Sequence, residues 1–128
     1  MRVILALGVS VGILLATVSL QAHHSFSATY DGNKPITLKG KIVKLGWQNP
    51  HAHIYVDVTN ADGKVVTWEV ESAGPTTLMK QGLRKEDFVG QEVVIKGFLA
   101  KDGTPTVNAS SFTLVEAKKE FVNDEKAP

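Results

Sequence analysis

The sequence has no cysteine. That excludes a disulfide scaffold, an iron–sulfur centre, a thiolate zinc site, a cysteine nucleophile and an acylated lipoprotein anchor. It has almost no charge of one sign in excess: 14 Lys plus Arg face 13 Asp plus Glu, for a net charge of +1. So balanced a chain has no strong field to draw it to nucleic acid or an anionic membrane. It lacks a phosphate-binding glycine loop and a dinucleotide fingerprint. Ser25, Ser110 and Ser111 have no glycine-flanked elbow around them. Histidine is scarce, at four residues, and its placement is the informative feature.

One hydrophobic run stands out. Met1-Arg2 is a short positive start, and Val3 to Leu15 is apolar apart from Gly8, Ser10 and Gly12. Thr17 to Ala22 is more polar and ends in a small residue. Residues 1–22 therefore read as a secretory signal peptide cut after Ala22. An uncut anchor is the alternative, but an apolar stretch of about 15–18 residues is marginal for crossing a bilayer. The expected mature chain is exported, has no membrane span and carries no net charge, because the signal removes Arg2 and no acid.

At 128 residues the chain is one domain's worth. Residues 23–34 read as an extended arm, with Phe26 and Tyr30 as anchors and a turn at Asp31-Gly32-Asn33. Ile36 to Ile42 alternates apolar and polar residues, as a half-buried strand does. The phase then flips to Val43, Leu45 and Trp47 without a turn, which predicts a bulge in a long bent strand. After Asn49-Pro50, His51 to Thr59 puts Ile54, Val56 and Val58 on one face and His51, His53, Tyr55 and Asp57 on the other. Asn60-Ala61-Asp62-Gly63 predicts a hairpin. Lys64 to Glu71 returns with Val66, Trp68 and Val70 inward. Pro75 near its start and Gly82 past its end bracket a short helix, and Arg84 to Phe88 is a charged connection. Gln91 to Leu99 and Thr106 to Val115 are the last two expected strands, and residues 116–128 read as a charged flexible tail.

The order β-β-β-α-β-β predicts an all-β domain over residues 35–115 with one short helix. The expected architecture is an OB-fold-like, five-stranded Greek-key barrel. An open β-sandwich with a helical plug is the alternative. Trp47 and Trp68 fall on the apolar phase and are expected in the core.

All four histidines form two pairs, His23-His24 and His51-x-His53. The spacing of two places both imidazoles of the second pair on one strand face. Tyr55 and Asp57 share that face, and across the hairpin Glu69 or Glu71 is expected to lie opposite His53 as a carboxylate that fixes its tautomer; all four count as candidate supporting residues. After cleavage, His23 would offer its amine and its ring to one metal. His24, His51 or His53 would add a further nitrogen, a set suited to copper(II), with zinc(II) as the second choice. The metal-ligand candidates are therefore His23, His24, His51 and His53.

The combination of His23-His24-Ser25-Phe26, Trp47-x-Asn49-Pro50-His51 and Trp68-x-Val70-Glu71 ahead of Gly74…Leu78…Gly82 resembles a family of small exported bacterial proteins of unknown function. Their mature chains begin with a similar Ala-His-His-Ser-Phe. The resemblance implies a periplasmic OB-like barrel and no known reaction. It carries over His23, His24 and His51; the place of His53 is commonly aromatic or variable in that pattern. The expected function is binding of a transition metal, without enzymatic activity. The alternative is a metal-free envelope module that binds a glycan, a small ligand or a protein partner. Oxidative copper chemistry is a third and more remote reading.

Overall fold

The computed structural model describes residues 25–123. Six strands form one sheet: β1 (Tyr30–Gly46), β2 (His51–Thr59), β3 (Val65–Ala73), β4 (Glu92–Ala100), β5 (Thr106–Leu114) and β6 (Lys119–Val122). A helix, α1 (Pro75–Lys80), and a 3-10 turn (Lys85–Asp87) connect β3 to β4. The expected signal peptide and His23-His24 lie outside the described residues.

The 17-residue β1 pairs antiparallel with β4 along its first two-thirds and with β2 along its last third. Sharing one strand between two partners demands a bend. The bend coincides with a bulge: Ile42 pairs with Val56 and Lys44 with Tyr55, so Val43 has no partner. Val43 is accordingly exposed rather than part of the apolar set that includes Leu45 and Trp47. At Gly40 the β2 backbone comes so close that a Cβ would lie 2.2 Å from the Asp57 carbonyl oxygen. Only glycine fits there.

The ring closes through three parallel pairs between β3 and β5, from Glu69↔Thr106 to Glu71↔Asn108. The cyclic order β1-β2-β3-β5-β4 is that of the expected OB-like barrel. Closure removes edges that an open sheet would expose. The interior is filled by aliphatic side chains from every strand of the ring, among them Ile42, Ile54, Val70, Ile95 and Leu114. Phe88, just after the 3-10 turn, is fully buried and links Trp47 to Phe112, with ring centroids 5.5 and 5.8 Å away. Trp47 and Trp68 are partly buried against this core instead of being inside it.

Two segments differ from expectation. The arm is not extended throughout: residues 25–29 are helical, and Tyr30 to Lys34 already belong to β1. Phe26 and Tyr30 do act as anchors. The Phe26 ring lies 5.7 Å from Tyr30 and meets Phe98 edge-on at 5.9 Å. The second difference is β6, a sixth strand inside the expected tail. It pairs with β5 outside the ring and buries Phe121 completely, 5.2 Å from Phe112. Its outer edge is capped by one side chain. The Gln81 amide donates to the Val122 carbonyl at 3.0 Å and accepts from the Val122 N–H at 3.1 Å. That reproduces what a neighbouring strand would offer.

Candidate functional site

The first residues of β2 and the last of β3 present the candidate site on the outer face of the hairpin. Their register sets His53 opposite Glu71, Tyr55 opposite Glu69 and His51 opposite Ala73. Each imidazole reaches its diagonal neighbour, which is within range of long side chains on an antiparallel pair. His51 Nδ1 lies 2.9 Å from Glu71 Oε1, and His53 Nδ1 lies 2.9 Å from Glu69 Oε1. A carboxylate has no proton to give, so in both pairs the Nδ1–H is the donor. In the neutral imidazole this leaves the lone pair on Nε2.

The two pairs are not equivalent. Glu71 also accepts a 2.8 Å hydrogen bond at Oε2 from the Tyr30 hydroxyl, contributed from the start of β1. Tyr30 is buried. Its phenol is held well above its ordinary pKa, first by burial and then by the hydrogen bond to Glu71, so it keeps its proton. The Glu69 side chain is 41% exposed, against 26% for Glu71, and Glu69 has no comparable anchor among the described residues.

Two depressions meet at this place. A shallow hollow of about 210 Å³ is lined by Gln48, Asn49, Pro50, His51, His53 and Glu71. Beside it, where β3 and β5 part beyond their three-pair seam, lies a cavity of about 530 Å³. Its walls include Phe26, Tyr30, His51, Glu71, Asn108 and Phe121. His51 and Glu71 belong to both. The loop bearing Asn49-Pro50 is pressed against the start of α1. A Cβ on Gly74 would stand 2.4 Å from the Pro50 carbonyl oxygen, so glycine is required there.

The structure thus brings together four of the expected residues: His51 and His53 with Glu69 and Glu71. Tyr55 and Asp57, on the same face, have other side-chain partners. Asp57 accepts a 2.6 Å hydrogen bond from Thr67, and Tyr55 lies under the Lys44 ammonium at 5.0 Å. His23 and His24 lie outside the described residues. The residues that follow them, Ser25 and Phe26, line the same cavity as His51. Among the described residues no group of three or more His, Asp or Glu side chains is placed to hold a metal ion. Sequence reasoning missed Tyr30 as part of the site. Its only signal is a hydroxyl-bearing aromatic in an otherwise polar stretch, and nothing local says which carboxylate it meets.

Residues 12–109 match the model of a family of unknown function (DUF6152). The matched span includes all four histidines and ends before β6. No curated protein matches the chain.

Proposed function

The chain belongs to this family of unknown function, and we propose that it is an exported, periplasmic protein that binds a transition metal, copper(II) before zinc(II). Its ligands are the Nε2 atoms of His51 and His53 in the 210 Å³ hollow, completed by nitrogen from the processed N-terminus: the His23 amine and ring, with His24 as an alternative. The chain's own chemistry here is binding, with no reaction assigned.

One observation carries the reading. Both imidazoles of the strand pair have Nδ1 held by a carboxylate at 2.9 Å, as metal-bound histidines commonly do, which leaves the lone pair of each neutral ring on Nε2. A second observation makes completion from the N-terminus reasonable. Ser25 and Phe26, the next residues after His24, line the cavity that His51 also walls. Imidazole-rich, tetragonal sites favour copper(II), and affinity in the divalent series peaks there.

The test is a copper(II) titration of protein recovered after export, with its N-terminus defined by intact mass. Calorimetry and electron paramagnetic resonance would follow binding. The expected result is one site with several nitrogen ligands and an affinity that falls at least about ten-fold in His51→Ala. Binding no tighter than that of a generic peptide, or unchanged in His51→Ala, would refute the reading. A protein not processed near Ala22 would refute the amine ligand.

The mixed lining of the 530 Å³ cavity favours a second reading, a metal-free module for a small ligand, glycan or protein partner. Under that reading, His51→Ala and His53→Ala leave capture of the partner from envelope extract intact.

A further inference from the structure

Two imidazole–carboxylate pairs stand side by side, yet only one is tied to the barrel interior. We propose that the hydrogen-bonded chain Tyr30–Glu71–His51 makes His51 the fixed ligand of the site and Tyr30 its positioning residue, while His53 is the adjustable ligand. This rests on the metal-binding reading above for its consequence, but not for its geometry.

The Tyr30 ring is buried against Phe26 on the wall of the larger cavity, and its backbone belongs to the β1–β4 ladder, which together set where its hydroxyl emerges. That hydroxyl occupies Glu71 Oε2 at 2.8 Å and thereby sets the plane of the carboxylate. The other oxygen, Oε1, is then aimed at His51 Nδ1 at 2.9 Å. An imidazole held in this way has one tautomer and one orientation, with Nε2 as the ligating atom. The His53–Glu69 pair has the same first contact without the buried anchor. Glu69 is the more exposed carboxylate; His51 is the more exposed imidazole, so the difference between the pairs lies in the Tyr30 anchor and not in the burial of the rings. Holding one ligand rigidly while the other adapts lets the site accept a range of ligand–metal angles without losing its position.

The test reads the rings directly in the metal-free full chain. Long-range ¹⁵N–¹H spectra distinguish Nδ1–H from Nε2–H imidazole, and His51→Ala and His53→Ala assign the two signals. Both rings of the wild type are expected as Nδ1–H. Tyr30→Phe keeps the buried ring and removes only the hydroxyl. It should lower the Nδ1–H to Nε2–H ratio of His51 by up to about five-fold, the full worth of the His51–Glu71 hydrogen bond that it loosens, with His53 unchanged. Glu69→Gln should do the converse. Should Tyr30→Phe not fold, Glu71→Gln, at a partly exposed side chain, removes the carboxylate that links Tyr30 to His51 without touching the buried ring, and should shift His51 and leave His53 unchanged. An unchanged His51 ratio in Tyr30→Phe, or equal shifts of both rings, overturns the proposal. In the copper(II) titration, Tyr30→Phe should lose about ten-fold in affinity, and Glu69→Gln less. A wild type that binds no copper(II) defeats the metal reading alone, because the ring spectra still decide the positioning.

Discussion

Replacing Phe121 with alanine tests whether the C-terminal segment belongs to the fold. Phe121 is fully buried, although its strand has only four residues. A buried Phe side chain contributes through its apolar area and through the cavity its removal leaves; truncation to Ala in a core costs about 3–5 kcal/mol. The alternative is that β6 lets go. Its remaining ties include the ladder to β5, the two bonds to Gln81, the Lys119 Nζ–Asp87 ion pair at 2.7 Å and the Asn123 N–H to the Ser110 carbonyl at 2.8 Å. Each is worth about 1 kcal/mol net, while freeing a residue's backbone returns about 1–2 kcal/mol. Over four residues the two sides nearly cancel, so without the aromatic anchor the strand should detach. Detachment limits the loss to about 3 kcal/mol and leaves the ring β1-β2-β3-β5-β4 standing. Urea unfolding measures the first quantity, and amide hydrogen exchange over residues 119–122 measures the second. A loss under about 1 kcal/mol, with those amides as protected as in the wild type, would show that Phe121 does not hold β6.

Two further substitutions probe the site and the connection to β4. Gly74→Ala forces a Cβ against the Pro50 carbonyl, at a cost of about 1–3 kcal/mol. Because His51 follows Pro50, copper(II) affinity should fall along with the urea midpoint; unchanged values of both would mean that the contact relaxes freely. Asp87 accepts from Lys119 Nζ at 2.7 Å and from the Arg84 N–H at 2.7 Å. The hydrogen bond from Lys119 is the larger cause of a carboxyl pKa held below the ordinary value. Its folded-state pKa is the depressed one, so its stabilisation is complete above about pH 4, the unfolded Asp range, and fades as pH falls through the folded value. The stability gap between wild type and Asp87→Asn should therefore be constant near neutrality and shrink under acid. A gap that widens on acidification would contradict the assignment.

The alternating segments were legible because strand burial leaves a period of two in the chain. His51 to Thr59 is β2 residue for residue, and the phase flip after Ile42 marked the bulge that bends β1. Gly74-Pro75 and Gly82 bracketed α1, since a Pro at a helix start and a left-handed residue after its end are local requirements; Gly82 has φ of +83°. The shared face of His51 and His53 needed only the pleat. β6 stayed hidden because four residues with one buried side chain have no readable period, and charge dominates the segment around Phe121.

What the order of residues determined by itself is therefore local: where strands run, where they turn, and that the histidines come in two pairs. Folding decided which distant groups meet. The β2–β3 register chose Glu71 for His51 and Glu69 for His53 along the diagonals, not straight across. Barrel closure brought the start of β1 to the end of β3, and with it the Tyr30 hydroxyl to Glu71. Such contacts, 41 positions apart for Tyr30 and Glu71 and 16 for His53 and Glu69, are encoded by no local propensity. They exist because the apolar faces of five strands can leave water together only by closing one ring, and closure dictates the neighbours at its rim.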